Sequence, residues 1–256
     1  MIITIALIFF MLGTIFGSFF NVVIYRIPLE KTIVSGRSMC TSCGHVLEPI
    51  ELVPIFSILF LGFKCRHCKS PISPRYLIVE LITGLGWLAS YLFNQNNLWM
   101  AISGCLLVSL SIIVSFIDYD THYVPLDVIF VFAIGQLILI ILTGNFSWEY
   151  IWSAFVGAIL YGIIYIVAKI IYGQEAFGMG DIYYIFALGL WFSVLDVVIL
   201  AFGAFFVAGI LLIGSFVHKS LERHQEIPFA PAMSIMALIM FFVGTNLKDL
   251  YMNWMF

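Results

Sequence analysis

The chain has 256 residues, of which 63% are hydrophobic and only 10% charged, and its mean hydropathy is +1.12. Soluble domains are roughly half apolar and about a quarter charged, so one water-soluble core cannot bury this much apolar surface. The composition also excludes a disordered chain, and a net charge of −3 without a basic arm argues against nucleic-acid binding. These values predict an all-α integral membrane protein.

Long uncharged runs predict the membrane spans, because a crossing helix needs about 20 mostly apolar residues. The runs are too long and too uniformly apolar for barrel strands. The run 81–117 contains the polar break Asn-Gln-Asn-Asn at 94–97, so we expect it to form two helices, the first starting near Tyr76. About eight transmembrane helices follow from the runs 1–25, 81–117, 128–143, 150–168, 182–195, 197–217 and 227–247.

The basic residues predict the orientation. Ten of the 11 lysines and arginines fall on one face of an eight-span arrangement, and only Lys248 falls on the other. The positive-inside rule places the basic face in the cytoplasm and both termini outside. The ten residues are Arg26, Lys31, Arg37, Lys64, Arg66, Lys69, Arg75, Lys169, Lys219 and Arg223.

The segment 182–217 allows two interpretations. It could be one long helix broken at Asp196, or two spans with a turn near 193–196. We expect two spans, the first only about 14 residues long, because one helix would move Lys219 and Arg223 away from the basic face.

The predicted cytoplasmic loop domain, residues 26–75, lies between the first span (1–25) and a seven-helix membrane domain (76–256). It contains two C-x-x-C pairs, separated by 21 residues, a spacing typical of a tetrahedral four-cysteine zinc site. Four thiolates would close the coordination sphere, so we expect the zinc to be structural. Two disulfides or a redox-active pair are the alternatives, and a reducing cytoplasm disfavours the disulfides. The cysteines are Cys40, Cys43, Cys65 and Cys68.

Two further features of the loop are open to interpretation. The segment 49–62, between the cysteine pairs, is apolar but too short to span a membrane. It either lies on the membrane interface, covers the active site or packs under the zinc fold. His45 and His67 are substitute metal ligands or solvated neighbours of the cysteines.

Two acidic clusters lie at membrane depth, where ionisable groups usually mark function. Asp118, Asp120 and Asp127 lie between the third and fourth spans, and a G-x-G-D motif at 178–181 leads into the short sixth span. Both clusters fall on the predicted cytoplasmic side, so they can face one another.

The motif at 178–181 has two interpretations. Gly178 and Gly180 allow a second chain to approach closely, which would place a substrate beside Asp181. Alternatively, Asp181 is only the N-cap of a helix. Two neighbouring carboxyl groups would share one proton, so that one activates water while the other donates to a scissile carbonyl oxygen, which is aspartyl protease chemistry. The sequence does not assign the two roles.

Together these residues resemble the type IV prepilin peptidase family along nearly the whole chain. The resemblance rests on six motifs, at 17–28, at the four cysteines, at 71–81, at 116–125, at 178–181 and at 226–231. It implies a GxGD-type aspartyl protease with Asp118 and Asp181 as the catalytic pair, supported by Gly178 and Gly180. Asp120 is then an auxiliary acid or a solvated charge.

The resemblance further implies the reaction and its setting. Family members cut the leader peptide from type IV prepilins and type II secretion pseudopilins at the cytoplasmic membrane face, and many then methylate the new amino terminus with S-adenosylmethionine. The implied location is the bilayer of a bacterial inner membrane. The chain departs from the family pattern at Leu126, Tyr183 and Ala230.

Other interpretations of the polar groups remain open. The methyl-donor site is unknown from the sequence. Candidates are Asn21, Arg75, Glu80 and Glu226, each of which could instead be a helix-packing residue. An ion transporter with an acidic relay and a zinc-containing scaffold are the competing functions, and the lack of two repeated halves disfavours the transporter.

Overall fold

A computed structural model of the chain describes residues 2–34, 36–173, 178–217 and 228–255. Within these ranges the regular structure is helical, with isolated bridges only in the loop domain. The helices are α1 (Ile2–Arg26), α2 (Phe56–Phe60), α3 (Arg75–Phe93), α4 (Leu98–Thr121), α5 (Leu126–Leu142), α6 (Trp148–Tyr172), α7 (Met179–Leu188), α8 (Val194–Val217) and α9 (Ala230–Met255), with 3₁₀ turns at Ile27–Leu29, Pro49–Leu52 and Gly189–Trp191.

The prediction of an all-α membrane protein is confirmed. In the described ranges, five helices are long and apolar enough to cross a membrane, and two shorter apolar helices cover Leu126–Leu142 and Ala230–Gly244. The polar break is also confirmed, since α3 ends at Phe93 and α4 begins at Leu98.

The segment 182–217 forms two helices, so the single-helix interpretation is wrong. The 3₁₀ turn Gly189–Trp191 separates α7 from α8. Ser193 caps α8, because its Oγ accepts the Asp196 backbone N–H at 3.3 Å. The first helix is shorter than predicted: α7 has 10 residues and starts at Met179. Its end abuts another helix, since a Cβ at Gly189 would lie 2.5 Å from the Ala154 Cα atom.

The chain divides into two compact units, and the boundary falls within α4, between Ile113 and Val114. In the first unit α1 packs closely along α3. A Cβ atom at Gly17 would lie 2.8 Å from the Cα atom of Glu80, so only glycine allows this approach. The Asn21 side chain donates to the Tyr76 carbonyl oxygen at 3.0 Å and ties the same two helices.

In the second unit, α7 is the central element and packs against α5, α6, α8 and α9. Its residues Tyr184, Ile185 and Leu188 are fully buried. The Tyr184 hydroxyl lies 2.6 Å from the Ser234 hydroxyl of α9, so α7 and α9 are joined by a buried hydrogen bond. This packing positions the first turn of α7, which carries Asp181.

Candidate active site and metal centre

Asp118 lies near the end of α4 and is 5% exposed. Its Oδ2 atom accepts a hydrogen bond from the backbone N–H of Ala230 at 3.0 Å, and the N–H of Phe229 also bonds to this carboxylate. These amides belong to the start of α9. Helix N-termini leave such N–H groups without intrahelical partners and carry a partial positive charge. The α9 N-terminus therefore stabilises the ionised form of Asp118.

Asp181 lies in the first turn of α7 and is equally buried. The N-cap of α7 is Gly178, so the interpretation of Asp181 as the cap is wrong. Its carboxyl group interacts with the backbone N–H of Gly178, whereas its Oδ1 atom has no hydrogen-bond partner among the described residues. Asp181 thus has fewer donors than Asp118, and an unpaired buried oxygen favours the protonated form of a carboxyl group.

The start of α7, which carries Asp181, packs against the loop that follows Asp118. A Cβ at Gly180 would lie 2.5 Å from the Cβ atom of Val124, so glycine allows α7 to start directly against this loop. Gly180 therefore allows the close approach of the protein's own α4–α5 loop. The Asp118 and Asp181 charges interact, which places the two carboxyl groups within electrostatic range of each other.

Other titratable groups surround the pair. His122, which follows α4, interacts electrostatically with Asp118, and Tyr161 of α6 interacts electrostatically with Asp181. Tyr161 is fully buried and its hydroxyl donates to the carbonyl oxygen of Ala201 at 3.1 Å. Asp120 is exposed, two residues from the buried Asp118.

Sequence reasoning missed two groups of this site. A tyrosine hydroxyl in the middle of an apolar run is a signal for Tyr161, because such a group needs a partner when buried. No sequence signal existed for the backbone N–H of Ala230, since every residue except proline carries one.

The four cysteines of the loop domain form one cluster. All carry free thiols, and their Sγ atoms lie within 4.8 Å of one another. The two C-x-x-C pairs have matching backbones. In the first pair, the backbone N–H of Cys40 donates to the His45 carbonyl oxygen, and that of Gly44 donates to the Cys40 carbonyl oxygen. In the second pair, the backbone N–H of Cys65 donates to the Ser70 carbonyl oxygen, and that of Lys69 donates to the Cys65 carbonyl oxygen. Gly44 and Lys69 occupy equivalent positions with φ of 70° and 61°.

This cluster fits a tetrahedral zinc ion. Four sulfurs at about 2.3 Å from zinc stand about 3.8 Å apart, and the Cys40 and Cys68 Sγ atoms are 3.9 Å apart. The backbone N–H groups of Cys43 and Ser42 lower the pKa of Cys40 to about 6, and a hydrogen bond to Ser70 lowers the pKa of Cys68. Both effects favour the thiolate, the form that binds metal.

The two neighbouring histidines belong to the loop packing. The His45 and His67 rings stack with centroids 5.3 Å apart. The His45 Nε2 atom lies 3.4 Å from the Glu51 carboxylate. That carboxylate also accepts a hydrogen bond from the Glu48 backbone N–H at 2.8 Å. This hydrogen bond is the main cause that lowers the pKa of Glu51, and the interaction with His45 adds a smaller lowering effect.

Three of the four candidates for the methyl-donor site lie in the described ranges, and two of them bind the backbone of their own unit. Asn21 donates to Tyr76, and the Glu80 Oε2 atom accepts the Ile55 backbone N–H at 2.7 Å. These contacts favour the helix-packing interpretation of Asn21 and Glu80. Glu226 lies outside the described residues.

Comparisons with known proteins agree with this arrangement. Residues 11–93 match the bacterial peptidase A24 N-terminal domain, and residues 105–213 match the type IV leader peptidase family. A prepilin leader peptidase/N-methyltransferase of Klebsiella pneumoniae is 37% identical over 71% of this chain and 82% of the relative. The chain belongs to the type IV leader peptidase family.

Further relatives carry the same name. The Aeromonas hydrophila protein is 29% identical over 95% of this chain and 92% of its own length. The Myxococcus xanthus protein is 36% identical over 81% of this chain but only 63% of its own length. No solved structure matches the chain. Membership of the type IV leader peptidase family agrees with a multi-pass protein of the bacterial inner membrane.

Proposed function

We propose that the chain is a membrane aspartyl endopeptidase that cleaves the leader peptide of type IV prepilins or pseudopilins and then N-methylates the new amino terminus. The observation that carries the proposal is the pair of buried acids, Asp118 and Asp181, in electrostatic range of each other. The family match at 105–213 covers both acids.

The geometry supports different roles for the two acids. Two carboxyl groups that interact electrostatically in a buried site do not both ionise cheaply, so in this proposal the pair holds one proton. Asp118, bonded by the α9 amides, is the ionised member and takes a proton from the attacking water. Asp181, whose Oδ1 atom has no hydrogen-bond donor among the described residues, carries the proton and gives it to the scissile carbonyl oxygen.

Zinc has a structural role in this proposal. Cys40, Cys43, Cys65 and Cys68 would hold the ion, which would crosslink the two C-x-x-C pairs. S-adenosylmethionine is the methyl donor that the relatives' name implies. Because Asn21 and Glu80 are engaged in backbone contacts, no residue of this chain is assigned to it.

The charge distribution supports the orientation. Seven of the 11 basic residues lie in the loop domain at 26–75, which also carries the cysteine cluster. The positive-inside rule then places the loop domain and the active site at the cytoplasmic face, with both termini outside.

The test is mass spectrometry of a prepilin incubated with the purified protein in lipid vesicles, with and without S-adenosylmethionine. Wild type should release a shortened pilin that gains one methyl group when the donor is present. Asp118→Asn and Asp181→Asn should release none. Asp120→Asn is the matched control, because this acid is exposed and should retain cleavage. Cleavage by either buried-acid variant would refute the dyad, and an intact substrate with folded wild type would refute the proposed activity for that substrate.

A further inference from the structure

The segment between the two cysteine pairs presents an apolar surface that stays exposed among the described residues. Ile50, Phe56, Leu59 and Phe60 are 67%, 60%, 53% and 87% exposed. The Phe56 and Phe60 rings lie one turn apart on α2, with centroids 6.5 Å apart. Ser57 and Ile58, on the inner side of α2, are buried. A contiguous apolar patch of this kind marks an interaction surface.

The depth of this patch is fixed by a residue of a membrane span. Glu80 of α3 accepts the backbone N–H of Ile55, the residue directly before α2. The span α3 starts at Arg75, so Glu80 lies about 8 Å along the helix axis from its loop end. The hydrogen bond therefore holds the start of α2 at the level of the first turns of the span, which is the interfacial layer of a bilayer.

The backbone at Ile55, where Glu80 binds the loop, has a strained conformation. Ile55 has φ of 65° and ψ of −57°, and the Phe56 N–H bonds to the Pro54 carbonyl oxygen at 2.6 Å. This is a γ-turn with positive φ, a strained conformation for a β-branched residue. Such a conformation persists only where the surroundings hold it, and the Glu80 carboxylate supplies that hold.

The basic residues of the same loop domain match a lipid surface. Lys64 and Lys69 are exposed on either side of the second C-x-x-C pair, and Arg75 begins α3. Arg66 is paired with Glu48 at 3.1 Å. With the patch at this depth, basic side chains of the same loop domain would contact anionic lipid headgroups, while the aromatic rings enter the acyl boundary.

We propose that α2 is an interfacial anchor, which inserts Phe56, Leu59 and Phe60 into the lipid layer and holds the metal-binding loop against the bilayer. The occupant of the patch is lipid. This inference concerns the loop domain of the first unit and does not depend on the proposed peptidase activity.

Photocrosslinking in vesicles tests the anchor. p-Benzoylphenylalanine replaces Phe60 in the full-length protein, reconstituted in phosphatidylethanolamine and phosphatidylglycerol. Thr41→p-benzoylphenylalanine is the matched control, because Thr41 is exposed in the same loop domain but lies between Cys40 and Cys43 and is not one of the patch residues. After irradiation, mass spectrometry of the peptides should find lipid adducts at position 60 at least tenfold above those at position 41. Substituting Phe56 in the same way provides a second probe should the first variant misfold, and the zinc content reports folding in each case.

Two other photocrosslinking results would overturn the proposal. Equal lipid adducts at positions 60 and 41 would mean that the patch has no preferred contact with lipid. Crosslinks from position 60 to an added prepilin, or to another part of the chain, in place of lipid would make the patch a substrate or packing surface. Because crosslinking needs no cleavage, a protein without peptidase activity can still confirm or refute the anchor.

Discussion

The hydrogen bond from Ala230 to Asp118 can be removed without changing a catalytic side chain. Ala230 is the first residue of α9, where the N–H group has no partner within the helix and proline is favoured. Ala230→Pro therefore deletes the donor that lies 3.0 Å from Asp118 while keeping the helix start. Ala230→Gly is the control, because it alters the side chain and keeps the N–H.

The expected change follows from the strength of that bond. A hydrogen bond to a charged group contributes about 1.5–3 kcal/mol, and one pH unit corresponds to about 1.4 kcal/mol. Losing the donor disfavours the ionised carboxylate, so the acidic limb of the cleavage profile should move to higher pH by about 1–2 units. At a pH below the acidic limb of the wild type, Ala230→Pro should cleave about 10–100-fold more slowly than the wild type. The Phe229 N–H remains as a second donor and favours the lower end of this range.

The assay is the pH dependence of kcat/KM for prepilin cleavage in lipid vesicles. The neighbouring groups Asp181 and His122 are present in both variants, so only the difference between Ala230→Pro and Ala230→Gly reports the donor. A folded Ala230→Pro protein with the wild-type profile would refute the role of α9. The same shift in Ala230→Gly would assign the effect to packing at this buried position.

Three further outcomes are expected. A Cys40→Ser/Cys65→Ser double variant should lose bound zinc and expose the loop to protease, and full metal retention would contradict the four-cysteine site. Glu80→Ala should speed amide exchange in the segment that it anchors, whereas Glu80→Gln, which keeps an acceptor oxygen, should have a smaller effect; equal exchange in both would contradict the tether. Gly17→Ala should lower the free energy of unfolding by about 1–3 kcal/mol, because a Cβ there meets the α3 backbone. Gly162→Ala, whose Cβ would meet no atom within 4 Å, is the control and should not destabilise the protein.

The sequence by itself determined the helical membrane class, the break at 94–97 and the grouping of the four cysteines. Each depends on local information. The length of an apolar run is set by the thickness of the bilayer, and the C-x-x-C spacing is set by the reach of two thiolates to one ion. The acids at 118 and 181 were identified because charge within an apolar run is expensive wherever the run packs.

The tertiary structure decided which partners these groups have. The α9 N-terminus donates to Asp118 of α4 and α9 also packs against α7, while α7 ends where Gly189 closely approaches α6. Glu80 anchors a strained turn at Ile55, a contact that depends on how the loop folds back on α3. Backbone donors and close approaches carry no signature in a single sequence, because nearly every residue has the same N–H and the neighbour is set by packing.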